Sequence, residues 1–84
     1  ELGMEQALKQ PDRRVAGVKQ VLRAIKGGRA AQVFLCNDAD SFLYRQVQAA
    51  CEEAGVPLTM VDTMEALGKQ CLIGVKTAAA AVLK

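Results

Sequence analysis

The chain has 84 residues, a formal net charge of +2 at pH 7, 51% hydrophobic residues and 24% charged ones. These proportions fit one globular domain over residues 1–84, with a core just large enough to fold unaided, and exclude a disordered chain. The longest apolar stretch, Ala78 to Leu83, is far too short to cross a bilayer, and no apolar segment follows basic residues at the start. Neither a membrane span nor a secretion signal is expected.

In chain order, residues 4–10 are expected to form a short first helix stopped by Pro11, because proline cannot continue a helix. Arg14 to Ala16 is a brief extended piece. Gly17 opens a helix whose Val18, Val21, Leu22 and Ile25 recur at offsets 0, 3, 4 and 7 on one face. Lys19, Gln20, Arg23 and Lys26 take the other face, and Gly27-Gly28 ends the helix. "VFLC" at Val33–Cys36 is a continuous apolar run of strand length, as expected of a strand covered on both faces.

The turn "NDADS" supplies Asp40 as the N-cap of a helix over about residues 41–54, which is expected to bury Leu43, Val47, Ala50, Cys51 and Ala54. "LTMV" at 58–61 is the next strand. Asp62 with Glu65 fits a capping box for a helix through about Gln70. "LIGVKT" is a loop, and Ala78 to Leu83 is the last strand. Strand–helix–strand units with short connections imply right-handed crossovers and an α/β sheet between helix layers. An antiparallel final strand would make that sheet mixed.

Charge is unevenly distributed. Arg13, Arg14, Lys19, Arg23, Lys26 and Arg29 follow one another with no acid between them. From Asp38 to Ala66, the acids Asp38, Asp40, Glu52, Glu53, Asp62 and Glu65 face Arg45 alone, and Lys69, Lys76 and Lys84 close the chain. The two basic ends are candidates for one surface if the fold brings them together. Cys36, Cys51 and Cys71 are odd in number and widely spaced, and the chain has no histidine. They read as buried free thiols of a reducing cytosol, with no disulfide and no metal site.

An enzyme is disfavoured, since no serine or cysteine has an evident base and the common general base, histidine, is missing. Asp38 and Asp40 beside a helix start read as a turn residue and a cap rather than metal ligands. No phosphate-cradling glycine motif is present, so no catalytic residue and no cofactor is expected. Nucleic acid remains. Its phosphates would answer Lys19, Arg23 and Lys26, which stand at and beyond a helix start with no carboxylate beside them. With one Tyr, two Phe and no Trp there is no platform for stacking single-stranded bases, which favours structured RNA or a duplex groove. Gly17, lacking a side chain, would let helix-start amides approach a phosphate or base edge.

"GVKQVLRAIKGG", "VFLCNDAD", "CEEAGVPLTMVDTMEALGKQC" and the Ala/Val-rich end together resemble the kink-turn RNA-binding ribosomal proteins that include L-seven-Ae and L-thirty-e, and their bacterial branch most. The resemblance runs from about Val15 onward. It implies a three-layer α/β/α sandwich with a central mixed four-stranded sheet. It also implies binding to kink-turns, RNA internal loops in which tandem sheared G·A pairs flank a bulge and bend the helix. By position, the recognition helix starts at Gly17, with Lys19 and Gln20 facing the G·A edges and Arg23 reading a guanine or gripping its phosphate. Lys26 continues that face. The loop of Leu72, Ile73, Gly74, Val75, Lys76 and Thr77, with Ile73, Gly74, Val75 and Lys76 as its contact residues, supplies apolar cover for a flipped-out nucleotide.

Two departures stand out. Archaeal and eukaryotic relatives carry Asn-Glu where this chain has Lys19-Gln20, which shifts the expected contacts from base edges towards phosphates. The family often has glycine where Leu72 stands. The expectation is a monomeric, cytoplasmic, ribosome-associated protein whose partner is a kink-turn in ribosomal RNA or a riboswitch. Its rival is a protein-interaction module of the same fold docking an acidic partner.

Overall fold

The computed structural model describes residues 7–84. Residues 4–6 of the expected first helix lie outside the described residues; Ala7 is helical, Leu8 and Lys9 turn, and Pro11–Arg13 is a single 3-10 turn. Four strands follow, β1 (Arg14–Ala16), β2 (Ala30–Cys36), β3 (Leu58–Val61) and β4 (Ala79–Leu83). Three helices alternate with them, α1 (Val18–Lys26), α2 (Ser41–Ala54) and α3 (Met64–Cys71). The sheet order is β1-β4-β2-β3, with β2 and β3 parallel and β4 antiparallel to both β1 and β2. β1, β2 and β3 therefore all point the same way, and the sheet is mixed.

Helices cover both faces. Val33 and Leu35 of β2 with Ala79 and Ala81 of β4 pack beneath α1 and α2, against Val21, Ala24, Ile25, Val47 and Cys51. Their neighbours Phe34, Cys36, Ala80 and Val82 point the other way, onto Leu67 and Cys71 of α3 and the buried Leu8. Burial on two faces is why Val33–Cys36 of β2 and the whole of β4 read as unbroken apolar runs instead of alternating ones. The architecture is the expected three-layer α/β/α sandwich.

Local differences from expectation have physical causes. β2 starts three residues earlier than Val33, because Ala30 pairs with Leu83 beyond an irregularity in the ladder. Ala54 is exposed instead of buried, since the last turn of α2 overhangs a shallow cleft with α1. The cap of α3 is Thr63, one residue after Asp62. Its hydroxyl accepts from the Ala66 amide at 3.0 Å, while Glu65 turns outward to pair with Lys69 at 3.6 Å. Asp40 caps α2 as expected, accepting from the Phe42 amide at 2.9 Å, and Asp38 accepts from the Met64 amide of α3 at 2.9 Å. Both carboxylates thus serve helix starts. Arg14 leaves the basic surface: its guanidinium donates to the carbonyls of Leu8 (3.0 Å) and Cys71 (3.1 Å), tying the first segment to the end of α3.

The three cysteines are free and buried. The Cys36 thiol lies 3.3 Å from the carbonyls of both Thr63 and Thr77. Burial, with the nearby Asp38 charge adding to it, pushes this thiol up to about 11, and burial raises Cys51 and Cys71 as well. A raised thiol keeps its proton in the folded chain after the unfolded chain has lost it. The stability that these protons contribute is present below about pH 9 and is lost as pH rises towards about 11. Urea unfolding followed across that range is expected to show a falling midpoint, with a shallower fall for Cys36→Ala. An equally steep fall in that variant would contradict the assignment.

Candidate nucleic-acid interface

Because β1, β2 and β3 run parallel and each leads into a helix, all three helix starts gather at one end of the sheet. β4 begins at that same end. The Gly17 amide donates to the Ala79 carbonyl at 2.8 Å, the Cys36 amide to Ala78 at 3.0 Å and the Asn37 amide to Val61 at 2.8 Å. These bonds bring the start of α1, the turn 37–40 and the loop 72–78 onto one surface. In open α/β sheets, that end is where ligands bind.

The three helix starts differ in one respect. α2 has the Asp40 carboxylate, and α3 has Thr63 and Asp38. α1 has Gly17 as its cap, no side-chain acceptor and no acid in its first turn. Its free amides and the positive end of its dipole therefore meet no protein anion, and a bound anion would satisfy both. Gly17 has φ 97° and ψ 143°, a combination left in practice to glycine. A Cβ built there would meet nothing within 4 Å, so torsion and not crowding selects the glycine, and the space above it is open.

Lys19, Gln20, Arg23 and Lys26 are all exposed on α1, opposite the buried Val21, Ala24 and Ile25. Lys19, Arg23 and Lys26 recur at i, i+4 and i+7, which makes one stripe along the helix. Lys76 and Gly74 are exposed on the loop. Of the loop's three apolar residues, the structure turns Leu72 (67% exposed) and Val75 (66%) outward and Ile73, half-buried against the second core cluster, towards the core. Leu72 also holds a left-handed φ of 58° as the residue ending α3, where a side chain costs about 1–2 kcal/mol.

The two basic ends of the sequence are not gathered at one end of the sheet. Lys19 and Lys76 lie at the end just described, Arg13, Arg29 and Lys84 at the opposite end, Arg23 and Lys26 along α1 between them, and Arg14 is held by the carbonyls of Leu8 and Cys71. Among the described residues no group of three or more metal-ligating side chains occurs.

Comparison with known proteins agrees with this geometry. Residues 3–84 match the profile of the ribosomal protein L7Ae/L30e/S12e/Gadd45 family. The chain belongs to that family. An "RNA-binding protein" of Geobacillus thermodenitrificans (strain NG80-2) is 50% identical over 70 residues, covering 83% of this chain and 85% of the relative. "RNA-binding protein YbxF" of Geobacillus stearothermophilus is 49% identical over 70 residues, with the same coverage. Among solved structures, the "15.5kD RNA binding protein" of Giardia lamblia superposes with a TM-score of 0.86 at 27% identity, covering 96% of this chain and 68% of that one.

The loop before β4 has a support that the sequence signals only as a glycine inside a helix. The loop 72–77 lies on α3, with the Thr77 amide donating to the Met64 carbonyl at 3.1 Å and the Ile73 amide to Gly68 at 3.3 Å. A Cβ on Gly68 would sit 2.0 Å from the Val75 carbonyl oxygen. Helix propensity alone favours alanine by about 1 kcal/mol. Gly68→Ala should nevertheless destabilise the fold by roughly 1–3 kcal/mol, because the backbone of the loop must move. Denaturant titration together with amide shifts at 72–77 checks this. A stabilised variant with an unmoved loop would contradict it.

Proposed function

We propose that this chain is a non-enzymatic RNA-binding protein that recognises and stabilises kink-turns. The observation that carries the reading is the uncapped, acid-free start of α1 beside a loop that exposes Leu72 and Val75. A phosphate or base edge would accept from the α1 amides, and Gly17 leaves room for its approach. Lys19 and Gln20 would meet the edges of the tandem G·A pairs, Arg23 a guanine or its phosphate, and Lys26 the backbone further on. The outward Val75 and Leu72 would cover an unstacked nucleotide, with Gly74 and Lys76 beside them and the half-buried Ile73 holding the loop down. Family membership and relatives named for RNA binding support the same reading.

In this reading the protein acts in the cytoplasm as a monomer, associated with the ribosome or with another structured RNA such as a riboswitch. A docking module for an acidic protein would want aromatic or methionine anchors on the basic face. The exposed Phe42 and Met60 lie at the start of α2 and near the end of β3, at the same end of the sheet but within the acidic segment and not on the basic face of α1.

Lys19 opposes the α1 dipole and lies four residues from Arg23, so Lys19→Glu should hold or raise the stability of the free protein. The expected gain is about 0.3–1 kcal/mol from the dipole and about 0.2–0.5 kcal/mol from relieved repulsion. The same change should sharply weaken binding to a kink-turn RNA. Arg23→Ala should also weaken it, and if Arg23 meets a phosphate the log affinity–log salt slope should fall by about one. Titrations at two salt concentrations, beside an RNA with its G·A pairs replaced, make the test. Unchanged affinity in both variants would remove α1 as the RNA site.

A further inference from the structure

The pole opposite the proposed kink-turn site is also basic. β1, β4 and β2 are neighbours in the sheet, so the start of β1, the end of β4 and the start of β2 lie side by side. Arg14 pairs with Val82 and Ala30 with Leu83, and the Lys84 amide donates to the Arg29 carbonyl at 2.7 Å. Arg13 and Arg29 therefore flank the end of β4 from its two sides. Arg29 folds back over the end of α1, its Nε 3.3 Å from where a Cβ on Gly27 would stand. Arg13, Lys26 and Arg29 are exposed, and among the described residues the ion pair found is Lys69–Glu65, so none of the three is ion-paired there. The exposed Asp12 preceding Arg13 and Glu53 lining the cleft at Lys26 are the nearby acids.

A helix C-terminus attracts cations, which accounts for Lys26 and Arg29 singly. It does not account for Arg13, which belongs to another element. Nor does it account for continuity: Lys19, Arg23 and Lys26 form one stripe that spans about 10 Å of α1 and leads from the proposed site to this pole. Glu53, near the end of α2, lines the shallow cleft together with Lys26, so an acid flanks that end of the stripe, while α1 itself carries none.

We propose that the stripe and the pole form one phosphate track: an RNA stem leaving the kink runs along α1, and its backbone is held at the far end by Arg13 and Arg29. The track rests on the RNA reading of α1 and extends it from the kink to the flanking helix. Beyond the base-facing Lys19 and Arg23, the cations Lys26, Arg13 and Arg29 are left to a duplex backbone, whose contacts add affinity and salt dependence without sequence preference.

The test compares two kink-turn RNAs, one with stems too short to pass Arg23 and one with both stems extended. The unmodified protein should bind the extended RNA more tightly and with the steeper salt slope. Arg13→Ala/Arg29→Ala should lower affinity for the extended RNA about tenfold and its slope by about two, while leaving the short RNA within about twofold. Arg13→Lys/Arg29→Lys, which keeps the charge, should restore most of the loss. Equal binding of the two RNAs by the unmodified protein, or equal weakening of both RNAs by the alanine variant, would overturn the track. If Lys19→Glu left both RNAs bound as before, the underlying site would fall and the track with it, a pattern distinct from failure of the distal contact alone.

Discussion

The antiparallel insertion of β4 between β1 and β2 is the constraint on which the surface depends. A β4 at the sheet edge would leave Gly17 and the loop 72–78 on unrelated parts of the molecule. Inserted as it is, β4 starts where β1 and β2 end, and the 2.8 Å bond from the Gly17 amide to the Ala79 carbonyl joins the start of α1 to the exit of the loop. The alanines of β4 suit this position. Ala79, Ala80 and Ala81 are fully buried, and their small side chains allow helix layers to close on both faces of a central strand.

Around that junction the chain carries several features that do nothing for its own stability. α1 begins without a cap, with a lysine against its dipole, while the two neighbouring helix starts are supplied with Asp40, Asp38 and Thr63. Leu72 keeps a left-handed backbone and an exposed side chain where glycine would be easier. Departures from local optima that cluster at one end of a sheet are the signature expected of a binding surface. Gly68 has the opposite role, giving the loop a seat on α3 that any side chain would fill.

Much of this was legible in the residues. The 0, 3, 4, 7 spacing of Val18, Val21, Leu22 and Ile25, bounded by Gly17 and Gly27, gave α1 its limits, and Asp40 with Gly55 gave those of α2. The unbroken apolar runs in β2 and β4 announced a sheet covered on both faces. Contacts that depend on tertiary proximity were not legible. Nothing local tells Asp38 to reach Met64. The cap of α3 is a local choice between neighbours: the spacing to Glu65 favours Asp62, whereas the hydroxyl of Thr63 takes the Ala66 amide and Glu65 turns to Lys69. Arg14 looks like one of six surface cations until the carbonyls of Leu8 and Cys71 are seen beside it. Ile73 and Leu72 are adjacent and equally apolar, and only the turn of the backbone at Leu72 decides which faces the core. The split of the basic residues into two poles likewise follows from strand order, which sequence spacing does not encode.

The central claim is that the uncapped start of α1 and the loop before β4 form one RNA surface. Amide chemical shifts of the protein during titration with a kink-turn RNA test it most directly. The expected result is large, saturable shifts at residues 17–20 and 72–77 together, absent when the G·A pairs of the RNA are replaced. Shifts confined to α2 and β3, or the same shifts with either RNA, would contradict it.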